Sequence, residues 1–156
     1  MLVEHIKDIS IHILKQEDIP CLKDLFSFVL TSEQSQILYQ QLMNHITYGI
    51  YDNELIGIIQ LYERKEGIYE VGYRLKEQYR HHGYMRQALR LLLKEYQTKN
   101  IKKIYARVEE TNIASKKVLE NTGFLQEINK NGVLIYVYAS SVENSTLRSY
   151  HSMENR

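Results

Sequence analysis

The sequence predicts an α/β (α+β) domain: a mixed, mostly antiparallel sheet of about 6–7 strands flanked by about four helices. Three observations carry this reading. Several short segments alternate apolar and polar residues with period two, the first being Asp8–Leu14 with Ile9, Ile11 and Ile13 in phase. One long segment, Tyr84–Tyr96, repeats apolar residues with the helical period. A basic, glycine-containing loop, Arg80-His81-His82-Gly83-Tyr84-Met85, joins an alternating segment to that helix.

The elements follow in order. After the first strand, Asp18 is placed to cap a helix through Leu22, Leu25, Phe26 and Val29, with Pro20 in its first turn. Ser32–Asn44 reads as a second helix. His45–Tyr51 is a strand, Asp52-Asn53 a turn, and Leu55–Glu63 a strand with apolar residues on both faces. A turn over Arg64–Gly67 leads to the strand Tyr69–Leu75, the third of three adjacent antiparallel strands. In the helix after Gly83, Met85, Ala88, Leu89, Leu92, Leu93 and Tyr96 share one face. Ile101–Glu109 is a strand, and Thr111 or Asn112 can cap a short helix with Ala114, Val118 and Leu119 inside. Gly123 suits a left-handed C-terminal cap, and a closing hairpin turns at Asn131-Gly132.

The chain has 156 residues, so one domain over 1–140 with a polar tail over 141–156 is expected. A net charge of +1 provides no strong field toward nucleic acid or an anionic membrane. Nothing resembles the ~18 apolar residues of a bilayer span. Glu4, Lys7 and Asp8 interrupt the N-terminus in a way that does not suit a signal peptide. Cys21 is the only cysteine, which excludes an intrachain disulfide and sits in an apolar helical pattern. A cytoplasmic protein is expected. His81 and His82 are adjacent and would diverge, with no further ligand set, so no metal is expected.

The Arg80–Met85 loop is the first candidate site. A strand that turns through such a loop into a helix directs several backbone N–H groups at one spot, which suits a phosphate. A dinucleotide fold would require three glycines and a parallel βαβ unit; only Gly83 is present, after antiparallel strands.

The loop resembles the Gln/Arg-x-x-Gly-x-Gly/Ala motif of the GNAT N-acetyltransferase superfamily. Asn112-Ile113-Ala114-Ser115-Lys116-Lys117-Val118-Leu119-Glu120-Asn121-Thr122-Gly123-Phe124 resembles that family's Asn-x-x-Ser…Gly-Phe segment. The branch most resembled contains the ribosomal-protein N-terminal acetyltransferases. The resemblance implies a GNAT-like sheet splayed between its fourth and fifth strands, with acetyl-CoA entering the gap. It implies cofactor contacts from Tyr73, Arg74 and Leu75, from Arg80, His81, His82, Gly83, Tyr84 and Met85, and from Asn112 and Ser115. Two positions depart from the family pattern. Met85 stands where a small residue is usual, and Leu119 stands where many members carry a tyrosine used as general acid.

The implied reaction moves an acetyl group from acetyl-CoA to a primary amine by direct transfer in a ternary complex. The acceptor is a small molecule or a protein N-terminus, and a homodimer is compatible with the family. A general base must take a proton from the arriving ammonium. Glu70 is the candidate, because alternation sets Glu70, Gly72 and Arg74 on one face of their strand and glycine leaves room there. The plain alternative for Glu70 is a surface carboxylate paired with Arg74 or a neighbour. Tyr136 and Tyr138 suit either sheet packing or the acceptor groove. The runner-up function is a non-catalytic acyl-CoA-binding or sensing module of the same fold.

Overall fold

A computed structural model describes residues 8–26, 29–97, 99 and 101–138. The strands are β1 (Ser10–Ile13), β2 (Ile46–Asp52), β3 (Glu54–Lys65), β4 (Ile68–Leu75), β5 (Lys103–Glu109), β6 (Phe124–Lys130) and β7 (Val133–Tyr138). They form one seven-stranded sheet in the order β1-β2-β3-β4-β5-β7-β6. All pairs are antiparallel except β4–β5. The helices are α1 (Ser32–Leu42), α2 (Tyr84–Tyr96) and α3 (Ile113–Asn121), with 3-10 segments at Gln16–Leu25 and Glu77–Tyr79. The polar tail 141–156 lies outside the described residues.

Two cores sandwich the sheet. On one face, Met85, Ala88, Leu89, Leu92, Leu93 and Tyr96 of α2 meet Ile56, Ile59, Leu61, Val71, Ile104, Ala106 and Tyr136 of the strands. That is the face the helical period had marked. On the other face, Leu22 and Leu25 of the 3-10 segment and Leu42 of α1 cover Leu14, Leu55 and Ile58. β3 therefore contributes to both cores, as its unbroken apolar run requires. Cys21 packs beside the second core.

The first helical stretch departs from the sequence reading. It is a 3-10 segment beginning at Gln16, not an α-helix capped by Asp18. The Asp18 carboxylate accepts from the Lys15 N–H at 2.8 Å and from the Tyr51 hydroxyl at 2.6 Å. It therefore ties the segment to β2 while capping it from within. Pro20 falls inside the segment. Further along, Thr31 Oγ1 accepts from Gln34 N and Gln34 Oε1 accepts from Thr31 N, a reciprocal cap that starts α1.

The parallel pair positions the site. Its ladder holds only Ile68↔Lys103, Tyr69↔Ile104 and Glu70↔Tyr105. Beyond Glu70 the two strands part, which is the expected splay, and residues 71–75 of β4 turn their β5-facing edge to the gap. On its other side β4 stays paired with β3 as far as Gly57↔Leu75. A Cβ on Gly57 would stand 2.6 Å from the Arg74 carbonyl oxygen, so only glycine lets the end of β4 run this close.

Candidate active site

The gap between β4 and β5 opens into a cavity of about 680 Å³. That is within the range of small-molecule sites. Its floor is the end of β4, with Tyr73, Arg74 and Leu75 exposed to it. Its second wall is the loop and the first turn of α2, with Arg80, His81, Gly83, Tyr84, Met85 and Arg86. Its third wall is α3, with Asn112, Ala114, Ser115, Lys117 and Val118. The fold thus gathers ten of the sequence-predicted residues around one space. His82 is exposed and does not line it, and Glu70 lies beyond its inner end.

Backbone conformation shapes the loop. His81 (φ 66°) and Gly83 (φ 83°) are both left-handed, with one residue between them. Glycine adopts this conformation at little cost; a histidine does so only under restraint. One restraint is Arg80, whose Nε donates to the Leu75 carbonyl at 3.2 Å and folds the loop back on the end of β4. Arg80 thus braces the loop besides lining the cavity. Helix α2 starts at Gly83 with no side-chain cap, and Gln87 N donates to Gly83 O at 3.2 Å. The first-turn N–H groups of such a helix lie ahead of its internal ladder and face along the axis. Gly83, Tyr84, Met85 and Arg86 all border the cavity at that end, where the positive end of the helix dipole favours an anion.

Met85 resolves the first departure from the family pattern. It is 5 % exposed and belongs to the α2 core. Its bulk is taken up in the core that α2 makes with the sheet, while the residue also borders the cavity. Leu119 resolves the second: it is fully buried, so no proton donor reaches the cavity from that position.

Across the cavity, the Tyr73 hydroxyl meets Ser115 Oγ at 2.7 Å. This bond links β4 to α3 over the splay. Burial pushes the Tyr73 hydroxyl up to about 12, against a smaller opposing effect of the Ser115 hydrogen bond. It is a neutral donor throughout the neutral range. Asn112 is the N-cap of α3, its Oδ1 accepting from Ser115 N at 3.2 Å. Capping uses the side-chain oxygen and leaves the amide group at the cavity edge.

Glu70 occupies the vertex of the splay, on the sheet face away from α2. Register puts it beside Tyr62 of β3 and Tyr105 of β5. Its side chain is 13 % exposed and Oε2 accepts from Arg64 Nη2 at 2.9 Å. The partner is Arg64, across the sheet, and not Arg74 on the same strand. Oε1 is buried and accepts no hydrogen bond. A buried acceptor left this way costs about 1–3 kcal/mol, and more when charged.

Ala114, Lys117 and Val118 also line the cavity, and their signal was the Asn112–Phe124 segment itself, within which they fall at i, i+3 and i+4 of α3. Arg64 carried none, because its meeting with Glu70 depends on register. Tyr136 is fully buried and donates to Glu120 Oε1 at 2.8 Å, so it serves packing and does not line a groove. Tyr138 packs on Phe124 and accepts from Gln97 Nε2. Among the described residues no cluster suits a metal ion, and no helix is long and apolar enough to cross a membrane.

A family model described as an acetyltransferase (GNAT) domain matches residues 9–125, three quarters of the chain. The chain belongs to the GNAT acetyltransferase family. Solved structures agree in fold. A RimL ribosomal L7/L12 alpha-N-protein acetyltransferase in complex with coenzyme A is 20 % identical, with 83 % of this chain and 92 % of that chain covered at a TM-score of 0.71. A chimera of the spermidine N-acetyltransferase SpeG from Vibrio cholerae and hSSAT is 18 % identical, covering 88 % of this chain and 99 % of that one at 0.72. YncA from Salmonella typhimurium, solved with acetyl-CoA, is 14 % identical, covering 83 % and 92 % at 0.64. No curated protein matches this GNAT chain by sequence.

Proposed function

We propose that this GNAT protein is an N-acetyltransferase that binds acetyl-CoA in the β4–β5 cleft and passes the acetyl group directly to a primary amine. The observation that carries the reading is the single cavity onto which both family motifs open, at the point where β4 and β5 part. The cavity fits the donor in kind. It has a left-handed loop and an uncapped helix start for the pyrophosphate, with Arg80, Arg86 and Lys117 beside them. It has the unladdered edge of β4 and the amide of Asn112 for the pantetheine arm. Bound there, acetyl-CoA supplies the acyl group.

The chain's own residues then have the following tasks. Glu70 receives the proton of the arriving ammonium; an alkylamine has a pKa of about 10 and reaches the site charged. Backbone N–H groups of β4 beyond Glu70 face the gap and stabilise negative charge on the carbonyl oxygen. Tyr73 holds Ser115, and through it the start of α3, at the right distance from β4. No cysteine borders the cavity, since Cys21 packs on the opposite face, and this favours direct transfer.

Isothermal titration with acetyl-CoA tests the donor site, and thiol release across a panel of amines tests transfer. Saturable acetyl-CoA binding together with amine-dependent thiol release is expected. Failure to bind acetyl-CoA at millimolar concentration would remove the donor assignment. Binding with no transfer to any amine would make the chain a binding module of the same fold.

A further inference from the structure

The sheet face around Glu70 carries the protein's own cations on aromatic rings. The Arg64 guanidinium lies 5.2 Å from the Tyr62 ring centroid, Lys103 Nζ 6.0 Å from that of Tyr105, and the Arg74 guanidinium 4.7 Å from that of Phe26. Aromatic faces attract cations at such distances. Lys103 Nζ also lies 3.9 Å from Glu127 Oε2, whereas Arg64 donates to Glu70 Oε2, the carboxylate at the vertex of the splay, at 2.9 Å. The second oxygen of that carboxylate is buried and bare. Beside it the floor is open: a Cβ on Gly72 would meet only Tyr62 Cε2, at 3.7 Å. The Arg64 side chain is 51 % exposed, and an ion pair so open to water holds weakly.

An amine reaches this site as an ammonium ion, and Glu70 takes its proton only if that ion lies against the carboxylate. In this structure a guanidinium already does so. We propose that Arg64 is a built-in stand-in for the acceptor: its guanidinium occupies the cation site formed by Glu70 and Tyr62, and the incoming ammonium displaces it. The inference rests on the transferase reading with Glu70 as base. It also names the acceptor class. A primary alkylammonium fits this site, its cationic head against Glu70 and on the Tyr62 ring, above the open floor that Gly72 leaves.

The test uses n-butylammonium with the full chain, by calorimetry and by thiol release, with acetyl-CoA affinity measured in parallel. Arg64→Gln should tighten n-butylammonium binding and lower its KM by about threefold or more, with acetyl-CoA affinity unchanged. Arg64→Lys should restore values near those of the parent, and n-butylguanidinium should compete with the amine but not with acetyl-CoA. An unchanged or raised KM in Arg64→Gln would overturn the proposal, because Arg64 would then be structural or would contact the acceptor directly. The calorimetric arm reads cation binding without catalysis. Loss of acetyl-CoA binding or transfer in the parent protein would therefore count against the transferase reading, and an unaltered cation affinity in Arg64→Gln against this one.

Discussion

In the cleft beyond Glu70, the parts suited to a donor are mostly backbone: the left-handed His81 and Gly83, the unladdered edge of β4 and the uncapped start of α2. On the sheet face around Glu70, the parts are side chains from separate strands: Tyr62 and Arg64 of β3, Glu70 of β4, Tyr105 of β5. A backbone site tolerates a change of side chain wherever the side chain can be buried elsewhere, which is why a methionine fits at position 85. A side-chain site has no such tolerance. Each group there depends on register, so exchanging one changes the contacts of its neighbours.

The largest expected effect breaks the acceptor side alone. Glu70→Gln should lower kcat by about 10²–10⁴-fold at neutral pH, the usual share of a general base. Titration of the same variant with acetyl-CoA should show parental affinity. A comparable loss of acetyl-CoA binding would mean that the two regions are not separable.

Met85→Ala probes the cleft in the opposite way. Trimming this buried side chain should cost about 2–5 kcal/mol of stability in a denaturant titration, as for other large-to-small core changes. It should leave acetyl-CoA affinity nearly unchanged. If the variant instead gained affinity strongly at little cost in stability, the side chain would belong to the cleft and not to the core.

Gly83→Val changes the cleft's backbone. A Cβ there finds space, its nearest neighbour being Arg86 Nη2 at 3.6 Å, so the cost is conformational. About 1–2 kcal/mol is expected from a left-handed β-branched residue. It should appear as weaker acetyl-CoA binding, with the KM for amine unaffected.

The smallest effect joins the two sides. Tyr73→Phe removes the hydroxyl that meets Ser115, and about 1 kcal/mol of stability with it. It should also change the alkaline limb of the stability curve. The Tyr73 hydroxyl is held at about 12 in the folded protein, above the ordinary value of 10. Its contribution is therefore complete below about pH 10 and is lost as pH rises through the folded value. Chemical denaturation across that window should show a shallower decline in Tyr73→Phe than in the parent, the remaining decline coming from other tyrosines raised by burial, Tyr51, Tyr96 and Tyr136 among them.

The cleft was legible because motif and period both mark it. Tyr84–Tyr96 was read with the limits the structure shows, and Asn112 caps α3 as its position suggested. Asp18 was misplaced because its carboxylate serves two partners, and one of them, Tyr51, is distant in sequence. The closing hairpin turns as expected at Asn131 and Gly132, both left-handed. The partner of Glu70 was not legible. Alternation along β4 offered Arg74, whereas the β3–β4 register set Tyr62 opposite Glu70 and brought Arg64 into reach.

By itself the sequence determined the order of elements, the apolar face of α2, the loop that starts it and the family. These are local: they depend on the spacing of residues along one segment and on the conformations that glycine, asparagine and β-branched residues permit. Only the tertiary structure decided where β4 and β5 part, that Tyr73 reaches Ser115, and that Arg64 stands on Glu70. The physical reason is that strand register is settled by the packing of both cores against the sheet. A shift of one residue would turn Glu70 to the α2 face and bury its charge, and no single segment records that cost.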